Sequence, residues 1–171
     1  MNSTLTSFNC VAKADAKILI LGTMPSIKSL QQHEYYAHPR NCFWDIMGEI
    51  IGFSRNLDYN SRLKKLSPAK IALWDVIASC KRKGSLDSNI ENESITPNNF
   101  TELFSHCPYI KMIFFNGQPA AKLYKKHALP TITEPFNAIP SLTLPSTSPA
   151  NALWSYEKKL SAWQAINQIE T

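Results

Sequence analysis

Apolar residues gather in four short runs along the chain: 17–22 (KILILG), 70–76 (KIALWDV), 109–116 (YIKMIFFN) and 141–145 (SLTLP). Within each run the apolar character is nearly continuous rather than alternating. Strands of a parallel sheet covered on both faces carry that pattern. The stretches between the runs have helical spacing instead. Residues 41–51 (NCFWDIMGEII) place Phe43, Ile46, Met47, Ile50 and Ile51 on one face. Residues 97–106 and 119–127 each open with proline, a favoured first helical residue. Residues 149–169 set Leu153, Tyr156, Leu160, Trp163 and Ile166 on one stripe. Strands alternating with helices predict an α/β fold, a parallel sheet with helices on both faces. No repeat, linker or low-complexity segment interrupts the pattern. A chain of 171 residues matches one domain, so residues 1–171 are expected to fold together, with 1–16 as a peripheral N-terminal segment. Residues 82–97 (RKGSLDSNIENESITP) form the longest stretch without periodicity, and loops of this length are often functional.

Composition excludes several classes. Apolar residues make up 44% and charged residues 18%, which suits a packed globule rather than a disordered chain. Runs such as Ile18 to Leu21 and Met112 to Phe115 fall far short of the roughly 20 residues of a membrane helix. The first sixteen residues are polar and hold no apolar signal core, so a cytoplasmic location is expected. The cysteines, Cys10, Cys42, Cys80 and Cys107, are widely spaced and include no close pair of the kind that zinc or iron–sulfur sites use. Reduced thiols and no metal are expected.

Charge adds a direction. The net charge is +5, and eight basic side chains against two acidic ones lie between Arg55 and Lys83. A basic patch suggests a polyanion partner, although an ordinary solvated surface fits equally well.

Open parallel sheets bind ligands at the carboxyl ends of their strands. Those ends read Gly22-Thr23-Met24-Pro25-Ser26, Asp75 to Arg82, Asn116-Gly117-Gln118 and Pro145-Ser146-Thr147-Ser148-Pro149. Small, polar and irregular residues therefore collect on one edge. No Gly-rich phosphate loop, nucleophile elbow or H-E-x-x-H motif is present. The segment Tyr35-Tyr36-Ala37-His38-Pro39-Arg40-Asn41-Cys42-Phe43-Trp44 is dense in side chains that can stack on or hydrogen-bond a nucleobase. A plain reading stands beside this one: Phe43 and Trp44 as core, Asn41 as a helix cap.

Taken in order, GTMPS, YYAHPRNCFW, LWDVIASCKRKGSLDSNI and LPSTSPAN resemble the uracil-DNA glycosylase superfamily, and most closely its hypoxanthine-DNA (deoxyinosine) glycosylase branch. The resemblance spans about residues 18–163. It implies a three-layer α/β/α sandwich on a short, mostly four-stranded parallel sheet. It also implies a monofunctional glycosylase that starts base excision repair, working as a monomer on double-stranded DNA with deaminated bases, with no cofactor. Water, not a lysine, would attack C1′ and leave a free base and an abasic site.

Roles follow from the resemblance residue by residue. The place where many members hold a water-positioning Asn or Asp is Met24 here; the branch that the chain resembles uses the asparagine of the HPRN motif instead, which is Asn41. An amide cannot act as a strong base, but it can direct a water, which suffices if the glycosidic bond breaks first. Gly22, Thr23, Met24 and Pro25 would wall the base pocket. Phe43 or Tyr36 would stack on the base. Asp75 or Asn116 would read its edge, and Asp75 could equally be a turn residue. His38 would hold the pocket or a phosphate, unless it is structural. Ser26, Ser146, Thr147, Ser148, Pro149 and Asn151 would press on the DNA backbone, with Lys81, Arg82 and Lys83 beside them. Lys64, Lys65 and Lys70 would lie at the opposite edge of the sheet. Ser146 stands near a family histidine that stabilises the departing base. Because Met24 and Ser146 depart from the family pattern, a non-catalytic DNA-lesion binder on the same fold is the alternative. A small-molecule enzyme using the same sheet edge is a third reading.

Overall fold

A computed structural model of the chain describes residues 3–171. Met1 and Asn2 of the segment expected at the periphery lie outside the described residues. Four strands form a fully parallel sheet in the order β3-β2-β6-β7: β2 (Ile18–Gly22), β3 (Ile71–Asp75), β6 (Met112–Asn116) and β7 (Ser141–Leu144). Alternate residues go to opposite faces, and both faces are apolar. Leu19, Leu21, Ala72, Ile113 and Phe115 pack on α4 (Phe100–His106) and α5 (Gln118–Leu123). Ile18, Ile20, Ile71, Leu73 and Phe114 pack on α2 (Phe43–Ile51), α3 (Tyr59–Leu66) and α6 (Tyr156–Trp163). The result is the three-layer α/β/α sandwich.

The run through Val76 does not end in a loop. It bends into β4 (Ile77–Lys81), the middle strand of a separate antiparallel sheet with β1 (Thr4–Thr6) and β5 (Thr96–Pro97). From Thr4 onward the N-terminal segment is thus woven into the fold rather than peripheral. Beyond β1, Val11 bridges Leu73, and the Trp74 indole donates to the Phe8 carbonyl.

The starts of α3, α4 and α6 follow capping side chains, whereas α5 has Pro119 in its first turn, as its sequence predicts, and no side-chain cap. Asp58, Asn99 and Ser155 each accept a backbone N–H at the start of α3, α4 and α6. Pro97 therefore lies in β5, outside α4. Residues 149–155 are irregular, and the expected long C-terminal helix begins only at Tyr156. Leu160, Trp163 and Ile166 of its stripe pack inward, whereas Leu153 and Tyr156 are exposed. Among the described residues no helix is long and apolar enough to cross a membrane.

Candidate functional site

At the carboxyl ends of the parallel strands a cavity of about 340 Å³ opens, bounded by the ends of β2, β3 and β6 and by loops 35–41, 85–87 and 146–150. A broader hollow of about 710 Å³ adjoins it and runs along β7 to Trp154. This is where an open parallel sheet places a ligand.

The floor comes from strand register. Gly22 and Asp75 are direct neighbours across β2 and β3. A Cβ on Gly22 would lie 2.5 Å from Asp75 Oδ1 and 2.9 Å from the Tyr36 hydroxyl oxygen. Only glycine leaves room for these two groups together. Asp75 is buried, and the Ser7 hydroxyl donates to its Oδ2 at 3.1 Å. Burial pushes its carboxyl up to about 7, against the opposing effects of the Ser7 bond and the Arg82 charge. Tyr36 has φ of 55°, a left-handed conformation that costs an aromatic residue energy. That turn lays its ring on Phe43, centroids 4.0 Å apart and planes 27° from parallel. Its hydroxyl is buried and makes no well-formed hydrogen bond, and burial raises the phenol well above its usual range, with the neighbouring Asn116 side chain opposing in part.

Asn41 lines the cavity just before α2. Its Oδ1 accepts the Phe43 backbone N–H at 3.0 Å. Asn41 stands one residue before the N-cap, Cys42, so it is not the helix cap itself, but it holds the first helical N–H and is also a pocket group. The second lone pair of Oδ1 is not needed for that bond, so it can direct a water. His38 also lines the cavity, and its Nδ1 accepts the Arg40 N–H at 3.1 Å.

Several expected contacts need correction. Phe43 is fully buried, with Trp44 and Trp163 edge-on to it, so Tyr36 presents the ring that faces the pocket. Arg82 is not a surface cation. Its side chain has no exposed area, and its guanidinium donates to the carbonyls of Pro25 at 2.5 Å and Gly84 at 2.9 Å and faces Asp87 at 3.9 Å. It clamps the 22–26 turn instead. Lys81 and Lys83 on either side are exposed. Thr147 is also fully buried. Both ends of the Asn116 amide hold it: Oδ1 accepts the Thr147 N–H and Nδ2 donates to Thr147 Oγ1, each at 2.9 Å.

The rest of the expected set lies where strand order places it. Thr23, Met24 and Pro25 wall the cavity, and Met24 packs on Ile77, Cys80 and Ile90. Ser26 caps the short helix α1 (Ile27–Gln32). Ser146 and Ser148 accept backbone N–H groups of their own loop, and Asn151 Nδ2 donates to the Ser146 carbonyl. Pro149 lines the rim. Lys64 lies in a different groove, with Val11 and Ile71 at the amino end of β3. The cysteines are free thiols, and among the described residues no cluster of His, Cys, Asp and Glu could hold a metal.

Four residues at or beside the site escaped sequence reasoning. Asp87 lines the cavity, and Thr23 hydrogen-bonds its carboxyl; its loop lacks periodicity, so only loop length hinted at it. Ser7 reaches the floor from a segment with no motif. Leu153, 95% exposed, and Trp154, 44% exposed, stand on the loop beside the broader hollow. A helical stripe had hidden Leu153.

The family model described as the Uracil DNA glycosylase superfamily matches residues 9–169. A protein of Methanosarcina acetivorans named hypoxanthine DNA glycosylase is 35% identical over 163 residues, 93% of this chain and 95% of its own. One of Methanosarcina barkeri with the same name is 40% identical over 116 residues, 67% of this chain and 72% of its own. A solution NMR structure from M. acetivorans, described as a candidate uracil DNA glycosylase, superposes with a TM-score of 0.78 at 32% identity. It covers 96% of this chain and 99% of that one.

Proposed function

The chain belongs to the uracil-DNA glycosylase superfamily and is a DNA glycosylase, and on that premise we propose that it is a monofunctional enzyme releasing hypoxanthine from DNA. Uracil and xanthine are its further candidate substrates, since each is a deaminated base with a similar lactam edge. Asn41 carries this reading: its amide is fixed at the cavity by the Phe43 N–H while its oxygen keeps a free lone pair.

The chemistry follows from that geometry. A base inside a duplex is out of reach, so it must turn out, at a cost of a few kcal/mol that a mispair lowers. Leu153 is an exposed apolar side chain on the rim, suited to fill the gap that the base leaves. The extruded base enters over Gly22 and lies on the Tyr36 ring. Lys81 and Lys83 meet phosphates, and Ser26, Ser146 and Ser148 hold the backbone at the rim. The glycosidic bond breaks first, and the water aimed by Asn41 captures C1′ of the cationic sugar. Orientation is all the amide must supply. Free thiols and this substrate fit a cytoplasmic monomer acting on double-stranded DNA.

Duplexes containing one deoxyinosine, deoxyuridine or deoxyxanthosine, incubated with the protein and then treated with alkali, test the reading. Strand breaks at deoxyinosine are expected. Intact strands on all three substrates, with folded protein, contradict it.

A further inference from the structure

The floor of the cavity holds two polar atoms whose hydrogen-bonding capacity the fold leaves largely open. Asp75 Oδ1 and the Tyr36 hydroxyl converge on the space above Gly22, 2.5 and 2.9 Å from the point where a Cβ would stand. Asp75 Oδ2 is already occupied by the Ser7 hydroxyl. The Tyr36 hydroxyl is buried and makes no well-formed hydrogen bond, the Asn116 side chain being a polar neighbour that only partly satisfies it, and a strained backbone holds it there. A buried group without a partner is costly, so one kept in a binding cavity points to a ligand that completes it. Asn116, the other strand-end amide, is engaged by Thr147 at both ends and serves to position the 146–151 loop.

We propose that Asp75 acts as a neutral carboxylic acid whose Oδ1–H, together with the Tyr36 O–H, hydrogen-bonds the carbonyl oxygen of the departing base. The proposal rests on the glycosylase reading above and deepens it. When the C1′–N bond breaks, its electron pair leaves with the base, and the charge spreads to the carbonyl oxygen. Two O–H donors in a dry pocket receive that charge. Water bonds to C1′ and gives up one proton, and the base takes up one, so one water is consumed overall.

The neutral form is the one the surroundings favour. Ser7 donates to Oδ2, which leaves Oδ1 to carry the proton and face the cavity. Burial holds the carboxyl near 7. The charged and titratable groups around it are Cys10 from the N-terminal segment, Tyr35 and Tyr36 from the pocket loop, Tyr59 from α3, and Arg82 and Asp87 from the loop after β4. Asp87 favours the proton and Arg82 opposes it. A carboxylate would repel the charge growing on the base, so base release should slow as pH rises through this range.

Single-turnover release of hypoxanthine from a deoxyinosine duplex, measured from pH 5.5 to 9, tests the proposal. The wild type should lose rate about tenfold per pH unit on the alkaline side. Asp75→Asn, which keeps a neutral donor, should lose that limb while keeping a measurable rate. Asp75→Ala should be at least 100-fold slower at pH 6. Ser7→Ala, outside the cavity, removes a bond to the ionised form and should move the limb up by about half a pH unit to one. It serves even if the Asp75 variants misfold. A wild-type profile flat to pH 9, or a limb unmoved in both Asp75→Asn and Ser7→Ala, overturns the proposal. No base release by the wild type at any pH overturns the glycosylase reading itself.

Discussion

Tyr36 lies flat on Phe43, and the two rings divide a role that either could have held alone. Phe43 has no exposed area and is enclosed by Trp44 and Trp163. Tyr36 faces the cavity with its ring and hydroxyl. Phe43→Ala should therefore cost about 3–5 kcal/mol of stability, as deletion of a buried ring does. Tyr36→Ala should cost less stability but slow base release. Denaturant unfolding beside single-turnover kinetics separates them; equal stability losses would contradict the division.

Salt dependence should sort the three basic residues at the end of β4, Lys81, Arg82 and Lys83. Lys81 and Lys83 are exposed, so replacing both with alanine should flatten the slope of log affinity against log salt by about 1.8, two released counterions at about 0.9 each. Arg82→Ala should leave the slope unchanged and destabilise the fold by about 1.5–3 kcal/mol, because a buried cation holds the Pro25 and Gly84 carbonyls. A slope change from Arg82→Ala larger than from the lysines would reverse this assignment.

Leu153 should matter for flipping and not for folding. Leu153→Ala removes a side chain that is 95% exposed, so the melting temperature should hold. Base release from a paired duplex should slow by about tenfold to a hundredfold, a loss of about 1.4–2.7 kcal/mol. Release from a single strand, where no stack must open, should barely change. An equal loss on both substrates would remove the wedge role.

Stability should fall as pH rises from about 4 to 7. Burial raises the Asp75 carboxyl from its ordinary value of 3.8 to about 7. Across that window the folded protein keeps a proton that the unfolded chain releases, so rising pH favours unfolding, by a few kcal/mol in all. Asp75→Asn carries no such proton. Its stability relative to the wild type should grow across the window and level off above 7. Parallel stability curves for the two proteins from pH 4 to 8 would contradict this.

Much of this was legible in the chain, and the exceptions share a cause. Continuous apolar runs such as KILILG mark the parallel strands because both faces must be buried. Strand order then brings Gly22, Asp75 and Asn116 to one edge. What local pattern could not show is which face of a residue ends up enclosed. Phe43, Arg82 and Thr147 are pocket-like in type, but tertiary packing buries them. Leu153 matches a helical stripe, yet Ser155 caps the helix two residues later and leaves it outside. Ser7 reaches Asp75 across 68 positions, a contact made by strand pairing alone.

The most direct measurement is single-turnover release of hypoxanthine by Asn41→Ala beside its binding to abasic DNA. The amide is expected to aim the water without shaping the DNA surface. Release at least 100-fold slower than wild type, with affinity for abasic DNA within a few-fold, is the predicted result. Release at the wild-type rate would contradict the assignment of the water to Asn41.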